Sequence, residues 1–573
     1  MDFHNRLNNL KQQSFFTKLV IERGVEKESL RVNKQGFISD EKHPEGLGSS
    51  FTNPSITTDF AEALIEIVTP VYTDLNLLYK KLESLHVFIN KNLENGETLW
   101  PYSMPPRIKN ESGINIATYG KTNIGQLKYI YRKGLAIRYG KAMQCVSGIH
   151  YNFSLSNESL KNLLGTSIQE DKDKAYLGLI RNFKRLFWFV LLEFGNSAVV
   201  DKTFVSARQN DLDELNTTDL FKKNATSLRM SDVGYQSKAQ KNLDFKYNDL
   251  ASFLDELKMG IIKPYSEFQE LGLLDKNGEY QQISDGILQI ENELYDCIRP
   301  KRAGKSGIRP YQLLKEQGIQ YVEVRGIDLN PDCLLGITKD QIRILDLLLI
   351  YCLVNASPDM TDDEKSIIEK NDITTIKFGR EGSSKISYQN SEVPINQARD
   401  HLVGDLILLA NEMSDARYVE AIDSLKIKKN TFNKDRSFHE TGLEHAKNNS
   451  IKLNSLSNID LDLCEKEASD CLPEHPALEL RHRHRRRAVP GPLPGRHRCE
   501  GLPAGTAAQG SADAAGRPVH RRRRGPGQDD RGRADPAGDA AAPAHPPGGD
   551  QQPSVGVAPV AGGDVQPLWP GLH

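Results

Sequence analysis

At 573 residues the chain could hold two to four average domains, or one catalytic unit of about 450 residues with a tail. Its formal net charge of −2 excludes a strong general attraction to nucleic acid or anionic lipid, and its seven cysteines, odd in number and without a dense framework, suit a reducing cytoplasm better than a disulfide scaffold. The opening MDFHNRLNNLKQQSFF lacks the apolar stretch of a signal peptide; the most apolar segments, 177–194 and 342–354, are broken by Arg181, Lys184 and Arg185 or by Asp346 and are not membrane spans.

The first predicted strand is Gly24–Leu30, where residues two apart share a face and Glu26 and Glu28 project together. Ala63–Val68, mostly apolar and ending before Pro70, reads as a buried strand in which Glu66 needs a partner. Leu75, Leu78, Leu82, Leu85 and Ile89 recur at helical spacing. In Gly148–Leu155, His150, Asn152 and Ser154 alternate with Ile149, Tyr151, Phe153 and Leu155; Cys145, just before it, reads as core packing rather than as a nucleophile. The same alternation in Ile287–Tyr295 predicts a strand with Gln289, Glu291, Glu293 and Tyr295 on one face, followed by a basic loop, Arg299–Ser306. In Tyr321–Arg325 the valines point one way, and Glu323 and Arg325 the other. Helical periodicity returns over 340–356 and 399–416.

One polar-faced strand is ordinary, because antiparallel sheets often show one face to water. Here the faces are mainly Glu with His and Arg. Crowded carboxylates raise one another's pKa unless cations sit among them, and Mg²⁺ or Mn²⁺ with oxygen ligands suits such a surface, with His150 as a nitrogen ligand. No Cys/His pair has the spacing of a structural zinc site. Beside such a metal, Arg299, Lys301 and Arg302 could set cations on a triphosphate. Gly304-Lys305-Ser306 is not a P-loop end: the upstream glycine position is Arg299.

After Lys466 the chain contains no Lys, Asn, Ile, Phe or Tyr, and Arg, Ala, Pro and Gly take over. Such a segment cannot bury enough apolar surface to offset its ordering entropy, so residues 472–573 read as a disordered tail on a body spanning 1–471. An Arg-rich nucleic-acid arm built on Arg481–Arg487 and Arg521–Arg524 is disfavoured by the interspersed acids and the near absence of aromatics; a change of reading frame or of gene accounts better for the shift.

The stretches GVEKESLRV from Gly24, ITTDFAEALIEIVTPV from Ile56, LWPYSMPP from Leu99, YGKAMQCVSGIHYNFSL from Tyr139, TSLRMSDVGY from Thr226, LQIENELYDCIRPKR from Leu288 and YVEVRGIDLNP from Tyr321 resemble, in this order, the proteobacterial glutamate–cysteine ligases. The resemblance implies an α+β fold similar to glutamine synthetase, a curved antiparallel sheet with helices on its outer face. It implies a monomer that takes glutamate, cysteine and ATP with Mg²⁺ and forms γ-glutamylcysteine through a γ-glutamyl phosphate. By motif position, Glu28 and Glu66 resemble ligands of the metal nearest the acyl acceptor, and Glu26, His150 and Glu323 those of metals on the triphosphate. Arg325 resembles the residue that steadies the transferring phosphoryl group, with Glu323 beside it. Arg229, Tyr235, Tyr295 and Arg132 resemble substrate-holding positions, and Asp59 and Phe60 fall where a cysteine pocket or metal is touched. An ATP-dependent ligase acting on another amine is the alternative. So is an inactive remnant, because the family ordinarily continues as helix where the tail begins.

Overall fold

The computed structural model describes residues 3–206, 208–234, 237–304, 308–457 and 459–471. Twelve strands are formed among them: β1 Ile21–Val32, β2 Ile56–Thr58, β3 Leu64–Val68, β4 Thr98–Leu99, β5 Ile149–Leu155, β6 Val199–Asp201, β7 Asp213–Glu214, β8 Asp219–Phe221, β9 Ile298–Lys301, β10 Tyr321–Ile327, β11 Lys385–Tyr388 and β12 Ser391–Pro394. Seven of them make the main sheet, in the order β2-β3-β1-β5-β10-β9 with β4 added to the end of β1, and every pairing is antiparallel.

The two-residue period of the strands decides what the sheet does. Ile65, Ile67, Val25, Ile149, Tyr151, Phe153, Val322 and Val324 fall on one face and are fully buried. They share a core with Leu78, Leu82 and Leu85 of helix Leu75–Asn92, Phe183 and Phe187 of Gln169–Phe194, and Ile342, Leu345 and Leu349 of Lys339–Val354. Each such side chain removed from water stabilises the fold by about 1.5–3 kcal/mol, which is what holds the helical layer on this face. The helices start where their caps direct. Asp74 accepts from the backbone N–H groups of Asn76 and Leu77, and Thr338 with Gln341 forms a capping box.

Two basic side chains on this face of β1 are enclosed in the apolar layer and each finds a partner. Arg23 pairs with Asp346 at 2.8 Å, and Tyr151 and Tyr418 donate to the same carboxylate. Lys27, between Glu26 and Glu28 in sequence but on the opposite face, lies 2.7 Å from His86 Nε2, and burial lowers it to about 8.

Two expectations from sequence are corrected. Ile287–Tyr295 is not a strand; it turns through a single 3₁₀ turn at Glu291–Glu293. Alternation alone could not reveal that the Glu293 carboxylate takes the Gln289 backbone N–H at 2.7 Å, which closes the segment on itself. The basic segment after it begins as strand rather than loop: β9 pairs Arg299 with Glu323 and Lys301 with Tyr321. Pro300 is tolerated because β9 is the edge of the sheet. Among the described residues no helix is long and apolar enough to cross a membrane.

Candidate active site

The face opposite the core collects the charged residues, because antiparallel partners directly across from one another share a face. Register sets Glu66 of β3 opposite Glu28 of β1, and Glu26 of β1 opposite His150 of β5. Asn152 of β5 faces Glu323 of β10, which in turn faces Arg299 of β9. Residues more than 250 positions apart in the chain thereby form one polar field, with Arg325 two positions along β10 from Glu323.

Contacts within the field are short. Glu26 accepts from Asn152 Nδ2 at 2.8 Å and lies 3.1 Å from His150 Nδ1. A carboxylate can only accept, so Nδ1 carries the proton, and Nε2 is left to face the Arg325 Nε–H at 3.4 Å. Glu28 Oε2 takes the Gly148 N–H at 2.7 Å, and its other oxygen lies 3.7 Å from His150 Nε2. Arg299 donates Nε and Nη2 to Glu323 Oε2 at 2.9 and 2.7 Å. Glu323 Oε1 makes no hydrogen bond among the described residues; Lys301 Nζ lies 3.5 Å and His150 Nδ1 3.8 Å away.

Burial and these neighbours set the protonation states. Burial, helped by Arg325, lowers His150 to about 4, so the ring is neutral and able to ligate. Burial, with Asp59 nearby, raises Glu28 to about 7 against the pull of Arg229 and Arg325. For Glu323 burial alone would raise the carboxyl, but Arg299, Lys301 and Arg325 outweigh it and hold the group well below the usual range.

Glu26, His150 and Glu323 can each present one ligand atom within 4.8 Å of the others, and all three are buried. Two carboxylates, one of them with the Glu323 oxygen that takes no hydrogen bond among the described residues, and a neutral imidazole form a donor set that fits a hard divalent cation.

Beside the field lies a cavity of about 110 Å³. Its wall brings together nine of the residues expected from sequence: Glu28, Asp59, Phe60, Arg132, His150, Arg229, Tyr295, Arg299 and Arg325. Glu26, Glu66, Glu323 and Lys301 lie on the same sheet face outside that wall. Arg302, one residue out of phase, is turned away and donates to the Gly318 carbonyl at 2.9 Å and the Gln317 side chain at 3.2 Å. Tyr235 lies outside the described residues. Arg132 donates Nε to the Asp59 carbonyl, and its guanidinium stacks 4.6 Å over Tyr119, so much of its capacity is already committed. Arg229 reaches over β10 to the Arg325 carbonyl at 3.1 Å. It can do so because residue 148 is glycine: a Cβ there would meet Arg229 Nη2 at 2.0 Å.

Sequence reasoning passed over Tyr131, Leu135, Gln144 and Asn292 of the wall. Tyr131 and Leu135 are four apart on helix Asn123–Tyr139, so helical period could have paired them, once Arg132 suggested that this helix faces the site. Gln144 sits in a short 3₁₀ turn and Asn292 in a turned segment, where no period marks a face. Cys145, as expected, is core: it is fully buried, and burial pushes its thiol up.

A field of buried carboxylates with arginines at its rim is the kind of surface on which enzymes transfer phosphoryl groups from a nucleotide. The family model described as glutamate-cysteine ligase matches residues 5–375, and the chain belongs to that family. It is 43% identical to the glutamate–cysteine ligase of Hahella chejuensis over 380 residues, covering 65% of this chain and 72% of that protein. To the Pseudomonas putida enzyme of the same name it is 42% identical over 415 residues, covering 71% of this chain and 78% of that protein. Among solved structures, the Francisella tularensis glutamate–cysteine ligase in complex with AMP superposes with a TM-score of 0.74 at 29% identity, over 81% of this chain and 94% of that one. A bifunctional glutathione synthetase from Pasteurella multocida, at 21% identity and a TM-score of 0.57 over 81% of this chain and 57% of that one, shares the fold.

Proposed function

We propose that this chain joins the γ-carboxylate of glutamate to the amino group of cysteine at the expense of ATP, giving γ-glutamylcysteine, ADP and phosphate. The observation that carries the reading is the convergence of Glu26, His150 and Glu323 from three strands on one point beside a cavity walled by Arg325, Arg229 and Glu28. The relatives' names and the AMP bound by the Francisella enzyme support the ligase activity and the nucleotide.

In this reading Glu26, His150 and Glu323 hold Mg²⁺ or Mn²⁺ for the triphosphate, and Glu28 and Glu66 hold a second ion nearer the acyl acceptor. The ions, when bound, neutralise phosphate charge. The chain's own residues supply the rest. Arg325, drawn to Glu323, Glu28 and Glu26, keeps its charge although buried, and stands where negative charge grows on the transferring group. Arg299 and Lys301 continue that positive edge along β9. Arg229, Tyr295 and, through the donors not already committed, Arg132 orient the amino-acid substrates, with Asp59 and Phe60 at their pocket; Tyr235, outside the described residues, is given the same substrate-holding role by its motif alone. The turned segment 291–295 contributes its carbonyls: Asn292 and Leu294 accept from Arg299 at 3.1 and 3.0 Å and so fix the guanidinium plane. The enzyme acts as a cytoplasmic monomer without a nucleic-acid partner, and residues 472–573 are dispensable for the chemistry.

The test is ADP release by the purified full chain with Mg²⁺, ATP and glutamate, with and without cysteine, and identification of the product by mass. Cysteine-dependent ADP release with γ-glutamylcysteine formed is the expected result. Turnover with a different amine, or none from folded protein, would overturn the assignment.

A further inference from the structure

A second, larger cavity of about 1150 Å³ is walled by residues 195–199, 330–332 and 428–436 and shares no residue with the first. Its wall is cationic. Arg380, Lys428, Lys429 and Lys434 face it against Asp332 and Asp435, while Arg436 is already paired with Glu444. Arg380 donates Nη1 to the Leu192 carbonyl and Nη2 to that of Gly195 at 2.7 Å, and its Nε is shielded from water without a hydrogen bond. Among the described residues Lys428 Nζ reaches only Asn196 Oδ1, at 3.4 Å.

Among the described residues neither cation has a carboxylate at ion-pair distance; Asp332 in the wall acts on Lys428 only from farther off, and two other nearby acids are committed elsewhere. Glu193 is bound to Arg399 at 2.6 Å. Asp328 accepts from Ser197, Ser227 and the Asn196 backbone N–H. Burial together with the repulsion of Arg380 lowers Lys428 to about 8, and burial lowers Arg380 to about 10. Two partly desolvated cations sharing one cavity with no carboxylate at ion-pair distance are unfavourable, and a bound anion relieves both the desolvation and the repulsion.

We infer that this cavity is a second anion site, distinct from the carboxylate field, which takes a phosphate-class dianion, free or on a nucleotide, between Lys428 and Arg380. Four cations against two acids match a doubly charged ligand better than a single carboxylate. A guanidinium beside an ammonium suits phosphate oxygens. Asn196, Ser197 and Asn330 add neutral hydrogen-bonding groups to the same wall.

Calorimetric titration of the metal-free full chain with inorganic pyrophosphate at constant ionic strength tests this. Lys428→Met is expected to bind one equivalent fewer than the wild type, or at least 10-fold more weakly at one site, with an unchanged circular dichroism spectrum and unchanged basal ligase rate. Lys428→Arg should keep the site. Competition by AMP for that equivalent would assign the anion to a nucleotide, and its absence to the free ion. Identical stoichiometry and affinity in wild type and Lys428→Met would overturn the proposal.

Discussion

Glycine at 148 has two duties: its N–H holds Glu28, and its missing side chain admits Arg229. Gly148→Ala is therefore expected to displace Arg229 and raise the KM for an amino-acid substrate by at least ~10-fold while leaving kcat closer to wild type, since uniform binding is what is lost. Arg325 should show the opposite split. Arg325→Lys keeps a charge but not the planar fork, and a fall in kcat of about 10²-fold with little change in KM is the expected signature of a group that acts on developing charge. Steady-state kinetics on both variants separate the two roles; a pure KM effect in Arg325→Lys would remove it from phosphoryl transfer. His150→Asn tests the donor set, with the Mg²⁺ concentration for half-maximal rate expected to rise about 10-fold or more.

The segment 287–295 shows how an element acts at a distance. Glu293 is fully enclosed, with Arg138 at 3.3 Å, the Tyr139 hydroxyl at 3.0 Å and the Gln289 N–H on its second oxygen. Those bonds hold the turn that offers the carbonyls of Asn292 and Leu294 to Arg299. Removing one partner of a buried pair leaves the other charged and desolvated, so Glu293→Ala should lower unfolding free energy by about 3–5 kcal/mol in a urea titration. Glu293→Gln should recover part of that and of the activity, because an amide still accepts from Tyr139 or Gln289. Equal loss in both variants would mean that charge rather than the turn is what matters.

At the scale of the whole molecule, pH dependence follows from histidines kept neutral by burial. His43 is lowered to about 4 by burial and Arg31, and His86 lies well below its ordinary value through burial and Lys27. Both take up protons on unfolding once pH falls below 6.5, so their contribution is complete above 6.5 and is lost on acidification, for His43 down to about pH 4. Each such group steepens the loss by at most about 1.4 kcal/mol per pH unit, and His43→Gln should flatten the fall in urea midpoint between pH 6.5 and 4.5. An unchanged slope would count against a neutral buried His43. The chain's change of composition after Cys471 has a separate consequence. Every residue in the proposed mechanism precedes it, and truncation there should leave the ligation rate within about 2-fold of the full chain.

The period-two alternation of β1, β3, β5 and β10, and with it the separation of core face from charged face, was legible in the sequence because alternation is a local property of the backbone. So were the helices at 75–92 and 339–354 and most of the one at 395–410, which the period places at 399–416, and Glu26, Glu28, Glu66, His150, Glu323 and Arg325 as members of one polar surface. Family motifs added expectations that no period could supply, such as substrate-holding roles for Arg229 and Arg132. Only the tertiary structure decided which residues stand opposite one another, since register between strands as much as 178 residues apart, Ile327 opposite Ile149, depends on packing across the whole sheet. It also turned 287–295 from an alternating strand into a turn, because the Glu293 carboxylate finds its partners on a helix 150 residues earlier. Arg302 faces away for a related reason: a one-residue phase on an edge strand reverses the side it presents, and the chain supplies no local signal of that phase until β10 pairs with it.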